Sequence, residues 1–227
     1  MSSFFGPTEF ADNPEPRCPC LLLLDISGSM RGAPIAELND GLMIFKDEIS
    51  ADALGAKRVE IGVVTFGPVQ TVNDFTSAQS WSAPTLHPQA DTPIVSAVEH
   101  GLALLRNRKD AYRSNAVAYY RPWIFLITDG APTDGGANNE RLDIAARLIK
   151  EGEAEKAFSF FPVGVEGANF EVLRYISARD PLALKELRFR DLFTWLSSSL
   201  SSVSRSSPGD VISLQNPATP GGWGEIR

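Results

Sequence analysis

The sequence contains few of the residues that would indicate a redox, zinc or membrane protein. It has only two cysteines and two histidines among its 227 residues. Cys18 and Cys20 are next-nearest neighbours, too close for an unstrained disulfide, and they lack the paired CxxC spacing of a zinc site. The longest apolar runs, Cys20–Leu24 and Trp123–Ile127, are far shorter than the roughly 20 residues that span a bilayer. We therefore expect reduced thiols and no membrane span.

Basic residues are scarce relative to acidic ones. The sequence has 21 Lys and Arg against 28 Asp and Glu, which gives a formal net charge of −7. This charge repels phosphate backbones and anionic membrane surfaces over most of the molecule, so nucleic acid is not an expected partner. The N-terminus has no basic segment followed by an apolar core and a cleavage site, which predicts a cytoplasmic protein without a secretory signal.

Strand and helix patterns alternate through residues 18–204, which we predict to form one domain. Residues 1–17 are predicted to be an irregular leader, and the Ser-, Pro- and Gly-rich residues 205–227 an extended tail. Strands are predicted at about 20–25, 59–66, 69–75, 123–128, 158–165 and 182–187, and helices at about 34–49, 94–105, 139–156, 169–178 and 190–204. The pattern predicts an α/β fold: an open, mostly parallel central sheet with helices on both faces and one antiparallel edge strand.

Oxygen-bearing side chains follow the predicted strand ends, where ligands bind in open parallel sheets. Asp25, Ser27 and Ser29 follow the first strand, Thr92 precedes the second long helix, and Asp129 follows the strand at 123–128. Carboxylates and hydroxyls without a thiolate or imidazole suit a hard cation. We expect Mg²⁺, with Mn²⁺ or Ca²⁺ as alternatives. Because hydroxyl ligands are neutral, such an ion keeps positive charge that can attract a carboxylate of a partner protein.

Each of these residues also has a purely structural interpretation. The segment 27–29 suits a turn, Thr92 before Pro93 suits a helix N-cap, and Asp129-Gly130 is a common turn. Asp134 is typical of a turn too, or of a group behind the metal ligands. The joint position of the candidate ligands at one sheet edge favours the metal site.

This constellation resembles the von Willebrand factor A domains that carry a metal-ion-dependent adhesion site. Residues 25–29 (DISGS) match the family's DxSxS motif, Thr92 matches its threonine loop, and Asp129 matches its distal aspartate. The resemblance implies a Rossmann-like fold in which Ser27, Ser29 and Thr92 contact the ion directly. It also implies that Asp25 and Asp129 act directly or through water, and that a partner's Asp or Glu completes the shell.

Longer segments resemble the TerY branch of bacterial tellurite-resistance proteins. They begin at residues 13 (NPEPRCPCLLLLD), 119 (YYRPWIFLITDG) and 195 (WLSSSLSSVSR). This resemblance implies a cytoplasmic, metal-dependent scaffold that works with a protein kinase and a PP2C-type phosphatase in a stress response. The sequence departs from many relatives at Ala90-Asp91, where two small residues are usual. Asp91 adds a negative charge beside the expected ion, which could strengthen cation binding or weaken acceptance of an acidic partner.

An enzyme is the main alternative to a binding module, because aspartyl-phosphate hydrolases also place an aspartate at a strand end beside a metal. Ser27 stands where their second carboxylate would be, and His87 is a lone loop histidine. The first turn also lacks the GxGxxG of a dinucleotide site. We therefore predict no catalytic residues. A subunit of an ATP-driven complex is a further alternative.

Two further features allow two interpretations each. A basic cluster ends the second long helix and is either a solvated helix end or a docking patch. Its members are Arg106, Arg108, Lys109 and Arg113. Trp223, in the Gly-rich tail, either packs on its own domain or anchors a partner.

Overall fold

The computed structural model describes residue 10 and residues 12–89, 91–136 and 139–227. The strands are β1 (Cys18–Asp25), β2 (Val59–Phe66), β3 (Gln70–Ser77), β4 (Trp123–Thr128), β5 (Ser159–Gly164), β6 (Leu182–Leu184) and β7 (Gly224–Ile226). The helices are α1 (Ala33–Ala51), α2 (Gly55–Arg58), α3 (Ile94–Ser114), α4 (Glu140–Ala154), α5 (Phe170–Ile176) and α6 (Phe189–Ser204), with short 3-10 turns at Gly28–Met30 and Lys185–Leu187. None of the described helices is both long enough and apolar enough to cross a membrane.

The described strands form one sheet in the order β3-β2-β1-β4-β5-β6-β7. Neighbouring strands from β2 to β6 run parallel, and β3 pairs with β2 as the antiparallel edge. The predicted α/β class, the mostly parallel sheet and the antiparallel hairpin edge are confirmed. The other edge differs from the expectation, because β6 is short and the last residues of the segment 205–227 pair antiparallel with it as β7.

The sheet is buried on both faces, as the unbroken apolar run of β1 predicts. Leu22 and Leu24 point into one core cluster, which contains side chains of α1 and α6. Leu21 and Leu23 point into a second cluster, which contains side chains of α3 and α4. Because β1 and β4 are adjacent at the centre of the sheet, the loops after their carboxyl ends lie side by side.

At the opposite end of the sheet, a buried ionic cluster surrounds Glu60. The carboxylate of Glu60 accepts hydrogen bonds from Arg17 Nε at 2.9 Å, from Arg108 Nε and Nη2 at 2.7 Å each, and from the Tyr112 hydroxyl. The ring of Phe10 lies 5.0 Å from the Arg108 guanidinium carbon. The inclusion of Arg108 in a solvated helix end is therefore wrong, since Arg108 is only 1% exposed and faces the core.

Candidate metal centre

Asp25 is the last residue of β1, and its buried carboxylate joins two loops. Its Oδ1 accepts a hydrogen bond from the Ser27 backbone N–H at 2.7 Å, which shapes the turn after β1. Its Oδ2 accepts from the Thr128 hydroxyl at 2.5 Å, which ties β1 to β4. The carboxylate is therefore held in one orientation from both sides.

The hydroxyls of Ser27 and Ser29 meet the carboxylate of Asp129. The two Oγ atoms are 2.9 Å apart. Ser29 donates to Asp129 Oδ1 at 2.7 Å, and Ser27 Oγ lies 3.5 Å from the same oxygen. The 3-10 turn Gly28–Met30 positions Ser29, and the buried Met30 side chain anchors this turn in the core. Three oxygens from two loops thus form a triangle with edges of 2.7 to 3.5 Å.

This triangle fits a small divalent cation. In an octahedral Mg²⁺ shell with oxygens at about 2.0–2.1 Å, neighbouring ligands are about 2.9 Å apart. Two edges of the triangle, 2.9 and 2.7 Å, are close to this spacing, and the third, 3.5 Å, is longer. Within the described part of the chain, no three or more His, Cys, Asp or Glu side chains are grouped to hold a metal, so a metal here depends on the hydroxyls.

Thr92 lies against the loop that carries Asp129. Its backbone N–H donates to Thr133 Oγ1 at 3.2 Å, and its carbonyl accepts from the Thr133 N–H at 3.0 Å. A Cβ built on Gly130 would lie 3.2 Å from Thr92 Oγ1, so the Thr92 side chain is next to Gly130. Thr92 therefore lies beside the Asp129-Gly130 turn, on a third loop.

The N-terminus of α3 is capped by Asp134 and not by Thr92. Pro93 occupies the cap position and forms no side-chain cap. Asp134 accepts from Val95 N at 3.1 Å and from Ser96 N and Oγ at 2.8 and 2.7 Å. The structure therefore assigns the cap, which the sequence suggested for Thr92, to a residue on the neighbouring loop.

The turn between β2 and β3 closes one side of the site. Gly67 has a φ of +104°, and a Cβ there would lie 2.4 Å from the Asp91 carbonyl and 3.2 Å from Ser27 N. Only glycine allows this conformation together with this close approach. Asp91 is exposed beside Thr92, whereas Ala90 lies outside the described residues.

The electrostatics of the site favour a bound cation. Burial raises the pKa of Asp25; hydrogen bonds from Ser27 and Thr128 oppose this rise, and the nearby charge of Asp129 adds to it. In the described part of the chain, neither Asp25 nor Asp129 forms an ion pair with Lys or Arg. Two neighbouring carboxylates without a counter-charge are stabilised by a cation.

Sequence reasoning missed Thr128 and Thr133, which hold the candidate ligands in place. The signal for Thr128 was its position directly before Asp129, at the end of an apolar strand. Thr133 had no local signal, because its role depends on contact with a loop that is distant in sequence. His87 is exposed and forms no hydrogen bond with the described residues.

Comparison with known proteins identifies the fold. The family model of the von Willebrand factor type A domain matches residues 21–192, and no curated protein matches the chain. The pilus adhesin SpaC from Lactobacillus rhamnosus GG, in its open conformation, is similar with a TM-score of 0.66 and 13% identity over 84% of this chain and 31% of that chain. The vWF domain of the pili tip protein Mfa5 from Porphyromonas gingivalis has a TM-score of 0.50 and 9% identity over 87% and 99% of the two chains.

Identities this low establish the fold alone. The chain spans about 31% of the length of SpaC, so nothing about the activity of that whole protein transfers directly. The family match, in contrast, runs from β1 into α6 and covers all three loops of the candidate site. Domains of this kind are protein-interaction and adhesion modules. The chain belongs to the von Willebrand factor type A domain family.

Proposed function

We propose that this domain is a metal-dependent protein-interaction module. Asp25, Ser27, Ser29, Thr92 and Asp129 would hold one divalent cation, Mg²⁺ first with Mn²⁺ or Ca²⁺ as alternatives, and an Asp or Glu of a partner protein would bind to it. The observation that carries the proposal is the triangle formed by Ser27 Oγ, Ser29 Oγ and Asp129 Oδ1.

The chemistry of the donor set supports capture of a carboxylate. When bound, the cation supplies positive charge that the neutral hydroxyls do not compensate, and this charge attracts an acidic side chain. The chain's own residues fix the geometry. Asp25 holds the Ser27 turn, Thr128 orients Asp25, and Thr133 holds the Thr92 loop against the Asp129 loop.

The biological setting that we propose is a cytoplasmic bacterial response to tellurite or a related chemical stress. A protein kinase and a PP2C-type phosphatase are the proposed partners. This part rests on the segments beginning at residues 13, 119 and 195, which resemble the TerY branch. The domain would act there as a scaffold whose attachment to its partners depends on the metal.

Binding to the candidate kinase and phosphatase, measured by biolayer interferometry in Mg²⁺ and in EDTA, tests this proposal. We expect binding in Mg²⁺ only, and loss of binding in Asp129→Ala. Asp47→Ala removes an exposed carboxylate on α1 that has no ion pair with the described residues, and it should bind like the wild type. Equal binding in Mg²⁺ and EDTA would contradict a metal-dependent interaction.

The phosphohydrolase alternative has a separate test. Incubation with p-nitrophenyl phosphate and Mg²⁺ should give no turnover by the wild-type protein. Turnover that is lost in Asp25→Asn would instead identify a metal-dependent phosphohydrolase.

A further inference from the structure

A basic groove lies at the end of the sheet opposite the candidate metal site. It is a cavity of about 990 Å³ between the amino-terminal ends of β4 and β5 and the tail residues Gly209–Leu214. Its cationic lining residues are Lys109, Arg113, Arg121, Lys156 and Arg179. This concentration of positive charge stands out on a chain with a net charge of −7.

The basic cluster at the end of α3 extends this groove. Lys109 and Arg113 line both the groove and a smaller adjoining cavity, which Arg106 also lines. Arg106, Lys109 and Arg113 follow helical spacing along one outward face, whereas Arg108 points into the core. Burial lowers the pKa of Lys109, the nearby charge of Arg113 lowers it further, and the charge of Asp110 opposes this shift.

Half of these six cationic side chains form no direct ion pair with the described residues. Among the described residues, Arg106, Lys109 and Lys156 form no ion pair, and Lys109 donates instead to the carbonyl of Ala157 at 3.1 Å. Arg121 and Arg179 share the single carboxylate of Glu153, at 3.8 and 2.7 Å.

Five acidic side chains lie around the groove, against six cationic ones, and three of the five are already engaged. Glu153 also accepts a hydrogen bond from Phe160 N, and Asp110 pairs with Arg113 at 2.8 Å. Glu155 and Asp210 line the groove, and Glu151 lines the adjoining cavity. Asp210 accepts from Ser207 N at 2.7 Å within the tail.

Aromatic side chains also line the groove. They include Tyr119, Trp123 and Phe161, and the guanidinium carbon of Arg179 lies 5.1 Å from the Phe161 ring. A lining of cationic and aromatic side chains suits an extended segment that combines carboxylates with apolar side chains.

We propose that this groove is a second docking surface and that it binds an acidic, partly apolar segment of a protein partner. The candidate metal site lies at the other end of β4, which spans six residues or about 17 Å at 3.3 Å per residue. With a metal bound as proposed above, the domain would hold two carboxylate-bearing partners at once, one at each end of the sheet. The groove itself requires no metal, so this inference does not rest on the proposed function.

Fluorescence polarisation with a labelled peptide of alternating Glu, Asp and Leu residues tests this inference, with EDTA present to exclude the metal site. We expect saturable binding that weakens as salt is raised. Lys109→Glu combined with Lys156→Glu should weaken binding by at least about tenfold. Asp25→Ala should bind the peptide like the wild type, which separates this surface from the metal site.

Matched controls separate groove charge from total charge and from misfolding. Lys57→Glu reverses an exposed lysine outside the groove and should leave peptide binding unchanged. Lys109→Gln with Lys156→Gln removes both charges but keeps unbranched polar side chains, and it should give an intermediate loss with a wild-type circular dichroism spectrum and melting temperature. Absence of peptide binding, equal loss in Lys57→Glu, or tighter binding of a single-stranded oligonucleotide would overturn the proposal.

Discussion

Replacement of Thr128 by valine isolates the hydrogen bond that orients the buried Asp25 carboxylate. The Thr128 hydroxyl donates to Asp25 Oδ2 and accepts from Gly130 N at 3.2 Å. Valine keeps the volume and β-branching, so the change removes these hydrogen bonds without leaving a cavity. A hydrogen bond to a charged group contributes about 1.5–3 kcal/mol, and we expect a loss of about that size in the free energy of unfolding. Loss of a group that orients a metal ligand typically weakens metal affinity by about tenfold or more.

Thr65→Val is the matched control for this prediction. Thr65 is a fully buried threonine of β2, and its hydroxyl has no hydrogen-bond partner within the described residues. Removal of an unsatisfied buried hydroxyl relieves a desolvation cost, so the same substitution should be neutral or stabilise by about 1 kcal/mol. It should also leave metal affinity unchanged.

Urea unfolding of the metal-free proteins and calorimetric Mg²⁺ titration measure the two effects separately. Thr128→Val should lose stability and metal affinity together, and Thr65→Val should lose neither. Equal changes in the two variants, or wild-type metal affinity in Thr128→Val, would refute the role assigned to the Thr128 hydroxyl.

Three further predictions concern stability. Glu60→Gln should leave two buried guanidinium groups uncompensated and lower the free energy of unfolding by about 3–5 kcal/mol. We expect a melting temperature roughly 10 °C lower, and an unchanged melting temperature would show that the Glu60 cluster does not stabilise the fold. Trp223→Ala should lower the free energy of unfolding by about 3 kcal/mol, because Trp223 is 3% exposed and its ring centroid lies 5.6 Å from that of Trp195. Its Mg²⁺ affinity should not change. Wild-type stability in urea would show that the tail does not pack on the domain. Because burial raises the pKa of Asp25, the folded metal-free protein retains a proton that the unfolded chain has already released, so its stability should fall as pH rises from the ordinary carboxyl pKa to the raised one. Asp25→Asn should remove this dependence of stability on pH, and an equal dependence in both proteins would contradict the role of Asp25.

The central sheet could be predicted because its strands carry strong local signals. The apolar run of β1 and the hairpin around Gly67-Pro68 were clear in the sequence, and each appears near its expected position. β7 could not be predicted in this way. It is a three-residue strand in a Gly- and Pro-rich segment, and its stability comes from pairing with β6 and from the burial of Trp223, which are tertiary contacts.

In the candidate site, too, features with a local sequence signal could be predicted, and features that depend on tertiary contacts could not. Motif spacing predicted the candidate ligands, and the loops that carry them lie side by side because the carboxyl ends of parallel strands meet at one edge. Their binding of a metal stays a prediction. Local sequence offered Thr92 as an alternative cap on α3, although Asp134 on another loop supplies the cap. The inward position of Arg108 did have a signal, since Leu105, Arg108 and Tyr112 share the buried face of α3 at helical spacing.

Calorimetric titration of the metal-stripped protein with Mg²⁺, Mn²⁺ and Ca²⁺, beside Asp129→Ala and the control Asp47→Ala, tests the proposed metal site directly. We expect saturable binding of about one ion per chain, retained in Asp47→Ala and lost in Asp129→Ala. Saturable binding of equal affinity in Asp129→Ala would contradict the assignment of the metal to this site.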